Sequence, residues 1–160
     1  MMVSMEIYSP AAAVVMLFLV WYFVPKEKFK ELLWYGLTFG FIGNAFFLAM
    51  GGEVFSLFRW VNVHPFRFLG YSIWDDLLLI FMVIFFLNFL PKPTHKVMFW
   101  VYIMAFAVIH AMHDQIFHQV GLLNYYHWNP FFRFIMGLVW FFGIAWFFEY
   151  EHREKVVRDS

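Results

Sequence analysis

The chain contains no cysteine, and only 14% of its 160 residues are charged. The first absence removes structural disulfides, thiolate metal sites, iron–sulfur clusters and cysteine nucleophiles together. The second says more, because a soluble domain carries about a quarter charged residues. A chain this poor in charge cannot cover a water-facing surface. Also missing are a Gly-rich phosphate loop, a G-x-S-x-G elbow, an H-E-x-x-H zinc signature and a dinucleotide fingerprint. The 11 Lys and Arg balance the 11 Asp and Glu, so there is no net basic charge to draw a nucleic acid. What fills the sequence is apolar: 64% of residues are hydrophobic, and 25 are Phe. That composition belongs in a bilayer.

A spanning helix needs about 20 apolar residues, at roughly 1.5 Å each, to cross a hydrocarbon core of about 30 Å. Five runs qualify: about Ile7 to Val24, Leu32 to Met50, about Ile73 to Leu90, Val97 to Phe117, and Phe131 to Phe148. They are separated by Pro25 with the charged stretch Lys26 to Glu31, by Gly51-Gly52, and by Pro91-Lys92-Pro93; a charged tail, Glu149 to Ser160, follows the last. No internal repeat or low-complexity linker divides residues 1–160, so a single domain is expected. Within Gly51 to Ser72, Val54, Leu57, Phe58 and Val61 fall on one helical face. This predicts a short interfacial helix ended by His64-Pro65, with a loop plugging the outer end of the bundle as the alternative. The fold class is therefore all-α: a polytopic integral membrane protein with five transmembrane helices plus that interfacial helix.

Lys26, Lys28, Lys30, Lys92, Lys96, Arg153, Lys155 and Arg158 lie on one side of the predicted membrane, against Arg59, Arg67 and Arg133 on the other. The richer side is cytoplasmic, which places the amino terminus outside and the carboxyl terminus inside the cell membrane. The first run is expected to stay as a helix, since its basic residues follow the apolar stretch instead of preceding it. Gly36-x-x-x-Gly40 with Gly43 gives the second run a face that admits another helix closely, either within the bundle or in a homodimer or membrane-protein partner.

The fourth run is the least apolar, for a chemical reason. His110, His113, Asp114 and His118 share an arc of about 140° at roughly 100° per residue. Ionisable groups in a span face the bundle interior, water or a partner. Estimated depths bring Asn44 and Asp76 to the same level, and Arg133 arrives from the outer end of the fifth run. The expectation is an outward-facing polar pocket built from Asn44, Asp76, His110, His113, Asp114 and Arg133, with Tyr125, Tyr126, His127 and Trp128 in the loop above it. Ser72-x-x-Asp75 matches a capping box and assigns Asp75 to the helix start.

Four readings of the pocket compete. His110, His113, Asp114 and Asp76 have the chemistry of a divalent-metal site, and a metal-dependent membrane enzyme would use Asp114 or Asp76 as base. The same groups suit a proton or ion relay. A purely structural network would have Arg133 neutralise Asp76 or Asp114. The structural network is the reading the cluster itself favours; the fourth reading, a non-enzymatic membrane component that binds a small ligand, ion or partner, is the leading function hypothesis, and for an enzyme no nucleophile stands out.

Gly43-Asn44-Ala45-Phe46-Phe47, Asp75-Asp76-Leu77-Leu78 opening a span that ends in Phe89-Leu90-Pro91, Asp114 late in the next span, and Gly121-Leu122-Leu123 leading to Trp128-Asn129 form a recognisable set. Over roughly Trp34 to Phe148 the chain resembles an uncharacterised family of small multi-pass membrane proteins of Bacillus and Clostridium relatives. The resemblance implies acidic residues at Asp76 and Asp114 and a Trp-Asn pair before the last span. His110, His113 and His118 depart from it, and it implies no reaction.

Overall fold

The computed structural model describes residues 3–61, 67–68 and 71–158. Five helices dominate: α1 (Val3–Phe23), α2 (Lys26–Val54), α3 (Ile73–Asn88), α4 (Lys96–Gln119) and α5 (Pro130–Arg158). Three of them, α2, α4 and the Pro130–Glu154 part of α5, are long and apolar enough to cross a membrane. Helix α1 carries a shorter apolar stretch, Ile7–Phe23, and α3 has 16 residues.

Helix α3 sits at the centre, packed between α1 and α2. Ten of its residues are buried, which explains why its sequence shows no solvent face. Helix α2 meets it backbone to backbone. A Cβ on Gly40 would lie 2.7 Å from Ile80 Cα, and one on Gly36 would lie 3.0 Å from the Ile80 carbonyl. Gly43 is covered by the Trp140 ring of α5. The glycine face is thus taken up inside the bundle, the first of the two uses expected for Gly36, Gly40 and Gly43. Helices α4 and α5 pack against each other, with a Gly137 Cβ position 3.2 Å from Ala107 Cα. Phe86, Phe106 and Phe141 interlock edge to face and tilted at centroid distances of 4.9 to 5.5 Å, joining α3 to that pair. Outside, Phe18, Trp21, Ile42, Phe46, Val101 and Trp146 are exposed, an apolar surface that water does not favour.

The structure departs from the sequence pattern at two places. Gly51-Gly52 does not end α2, which continues to Val54 through wide π-type turns at Gly36–Gly43 and Ala49–Val54. The Phe58 ring packs on Gly51, 2.8 Å from where a Cβ would be, and a glycine in a helix costs only about 1 kcal/mol. Nor do the described residues form the interfacial helix: Phe58–Trp60 is a strand, β1. It pairs antiparallel with β4 (Leu123–Tyr125), Phe58 opposite Tyr125 and Trp60 opposite Leu123. Phe58 and Trp60 are buried while Arg59 is exposed, the period of two that a strand requires. Between them, β2 (Arg67–Phe68) pairs with β3 (Tyr71–Ser72); His64-Pro65 lies outside the described residues.

The β1–β4 ribbon roofs one end of the bundle. Helix α4 reaches it through a Schellman ending: Gly121 takes φ 76°, its N–H donates to His118 O (3.1 Å), and Leu122 N–H donates to Phe117 O (2.9 Å). Phe117 and Leu122 then join Leu48, Phe58, Trp60 and Leu123 in a second apolar cluster, separate from the main core below. That C3-to-C″ contact is the usual partner of the motif.

Candidate functional site

A layer of buried polar side chains lies between the two apolar clusters. Asp75 and Asp76 come from the first turn of α3, where the helix dipole favours anions. His110, His113 and Asp114 come from the last turns of α4, Asn44 from α2, and Arg133 from the first turn of α5. Asn129 positions Arg133: its side-chain oxygen accepts the Phe132 N–H at 3.0 Å, capping α5.

Asp114 is the most heavily engaged. Arg133 Nε lies 3.4 Å from its Oδ1, and Tyr125 OH and Trp128 Nε1 donate to its Oδ2 at 3.1 and 3.2 Å. The guanidinium also stands 4.7 Å above the Phe47 ring, a cation–π contact strengthened by burial. Asn44 Nδ2 donates to Asp76 Oδ1 at 2.9 Å. His113 Nδ1 is 3.9 Å from Asp75 Oδ1, and its ring lies against Phe117 and near Tyr8 of α1. Burial, with the Asp114 carboxylate beside it, pushes the Tyr125 hydroxyl above its usual range, so that it stays a donor.

Asp75 is the residue that spacing misassigned. Ser72 makes no side-chain cap hydrogen bond, and Asp75 is 2% exposed, facing α4. Neighbouring residues on a helix cannot share a face. They do not need to here, because α3 has polar partners on more than one neighbouring helix: Asn44 of α2 donates to Asp76, and His113 of α4 lies beside Asp75. Of the other sequence candidates, His118 stands apart, since its Nδ1 donates to Leu123 O (2.8 Å) and its ring stacks on Tyr125. Tyr126 and His127 contribute backbone N–H groups to Leu57 O at 2.9 and 3.0 Å.

His110 differs from all of these. It is 6% exposed, and neither ring nitrogen has a hydrogen-bond partner within the protein. It lines a small cavity with Asn44, Phe47, Arg133, Met136 and Trp140, completed by Leu79 and Gly137. The space open to the centre of a water-sized sphere is about 20 Å³, enough for one such guest.

The expected metal grouping is not assembled: among the described residues no three His, Asp or Glu side chains gather in a way that holds a metal ion. His110, His113, Asp114 and Asp76 share a level, but Asp114 turns to Arg133, Tyr125 and Trp128, Asp76 turns to Asn44, and His113 turns to Asp75. Comparison with family models, curated proteins and solved structures gives no match.

Proposed function

We propose that the chain is a non-enzymatic component of the cell membrane, all five helices crossing, amino terminus outside and carboxyl terminus cytoplasmic, which binds a small guest at the polar layer. The observation that carries this reading is His110. Buried polar groups are nearly always hydrogen-bonded, and each exception calls for an explanation. An imidazole placed against a cavity of one-guest size, with both nitrogens unpartnered, has its explanation in a guest. The resemblance to small multi-pass membrane proteins supports the architecture and the acids Asp76 and Asp114.

The test is a stability comparison. His110→Phe keeps the ring and removes two unpartnered nitrogens, so the reconstituted protein is expected to melt at an unchanged or higher temperature, because apolar replacement of unsatisfied groups is neutral or stabilising. A loss of more than about 1 kcal/mol would assign His110 to structure instead. Single cysteines at Ser4 and Ser160, on a background with no native cysteine, read the topology through a membrane-impermeant thiol reagent: labelling of the first alone is expected.

A proton relay is the second reading, and one specific observation favours it. Three buried carboxyls, Asp75, Asp76 and Asp114, share the layer with one buried guanidinium, Arg133. Fully ionised acids beside neutral histidines leave the layer negative, which is costly at membrane depth, and bound protons remove that cost. Liposomes with an internal pH dye decide it: a proton leak abolished by Asp114→Asn supports a relay, and an unchanged leak removes it.

A further inference from the structure

The surroundings of the cavity beside His110 say from where a guest reaches it. Above it, the β1–β4 ribbon pairs across the end of the bundle, and Tyr125 and Trp128 lie over Asp114. Its polar lining of Asn44, His110 and Arg133 is buried. The lining residue most open to the outside is Met136, at 38% exposure, with Phe47 and Trp140 half-buried beside it. These three apolar residues belong to α2 and α5, and Phe46 and Val139 next to them are exposed. At about 1.5 Å per residue, Met136 and Trp140 lie roughly 9 to 15 Å below the start of α5. The mouth is thus a gap between two helices that are both long and apolar enough to span, and it faces hydrocarbon.

Charge narrows the guest further. Arg133 is already engaged with Asp114 at 3.4 Å. An anionic head would add to an excess of buried carboxyls, and a cationic head would meet the guanidinium. The whole cavity, about 20 Å³ for the centre of a water-sized sphere, admits a single oxygen-sized group and leaves no room for a phosphate or a sugar, so the rest of a guest stays outside it. We infer that the cavity takes the neutral hydroxyl or carbonyl end of a lipid-soluble molecule, which reaches His110 from within the bilayer through the gap between α2 and α5. Its apolar body lies along Phe47, Met136 and Trp140. Either ring nitrogen of His110 can meet such a group, donating to a carbonyl or hydroxyl oxygen and accepting from a hydroxyl. The inference rests on the binding reading above and assigns it a ligand class.

The experiment uses the full chain in lipid nanodiscs and two photoreactive probes of equal chain length, a diazirine-bearing hexadecanol and a diazirine-bearing palmitate, with labelled residues mapped by mass spectrometry. The alcohol is expected to label the α2–α5 gap preferentially and to be displaced by excess hexadecanol. Met136→Trp, which fills the mouth and leaves every polar group in place, is expected to cut that labelling about tenfold, equivalent to 1.4 kcal/mol of affinity. Met136→Leu is expected to retain it, which controls for folding. Even labelling of all lipid-facing surfaces, unchanged by Met136→Trp, overturns the inference. So does stronger labelling by the palmitate. A third arm, a short water-soluble diazirine alcohol, separates the two readings: if it labels beside His110 where the hexadecanol probe does not, the site binds but is fed from water, and only the lipid-soluble class falls. If neither alcohol labels the cavity, the binding reading falls with it.

Discussion

Two histidine–carboxylate pairs stand at opposite ends of the bundle. At the roofed end His113 lies 3.9 Å from Asp75, with side-chain exposures of 13% and 3%. At the other end His152 of α5 lies 3.3 Å from Glu31 of α2, with exposures of 39% and 43%. Distance alone ranks the second pair higher. Surroundings reverse the order, since a polar group left unmet in a dry site costs about 1 to 3 kcal/mol. The exposed pair is one clasp among others: Tyr35 OH donates to Glu151, and His152 Nδ1 donates to Phe148 O at 2.9 Å. In the buried layer the paired groups, unlike His110, are held because an alternative partner, water, is excluded. Removing one member there leaves its counterpart stranded, whereas at the open end water takes its place.

The largest break in this contrast is expected from Arg133→Met. It strands Asp114 in a dry site and is expected to cost about 3 to 5 kcal/mol, read from chemical unfolding in detergent. Adding Asp114→Asn to it should recover most of the loss, and a double variant as unstable as the single one would show that Arg133 acts through packing on Phe47 and not through charge. A smaller effect is expected for Tyr125→Phe, about 0.5 to 1.5 kcal/mol at neutral pH. Because the folded hydroxyl value is raised above its unfolded value of about 10, its stabilisation is complete below that pH and fades as pH climbs past it. The wild-type melting temperature should therefore decline more steeply in alkali than that of the variant, and parallel curves would contradict the Asp114 contact. The smallest effect belongs to the open end: Glu31→Gln should change stability by less than about 1 kcal/mol and by less still in high salt. A loss comparable to that of Arg133→Met would put the two ends of the bundle on an equal footing.

The helices were legible because apolar length is a strong signal. Each of the five runs has its helix, with Val24 just past the end of α1 and Phe89 and Leu90 just past the end of α3, and counting rise per residue put Asn44, Asp76, Asp114 and Arg133 at one level. What escaped was information held by distant partners. Phe58–Trp60 is too short for its alternation to outweigh a helical pattern in the same residues, and its partner strand lies more than 60 positions away. Asp75 was assigned to a cap by a local motif, though its environment is set by α4. The glycine stripe advertised a close approach and said nothing of which helix makes it; Ile80 and Trp140 do. The helicity of the tail after Glu149 was hidden by its charge, although the Tyr150–Glu154 hydrogen bond at 2.6 Å is the i to i+4 contact that such a surface helix uses.

Helix α5 is one uninterrupted rod from Pro130 to Arg158. It carries Arg133 near one end and Glu151 and His152 near the other, separated by roughly 27 to 29 Å at about 1.5 Å per residue. A rod of this kind is a mechanical strut. Any guest that draws Arg133 along the helix axis moves the far clasp by the same distance, against contacts that water has already made easy to exchange.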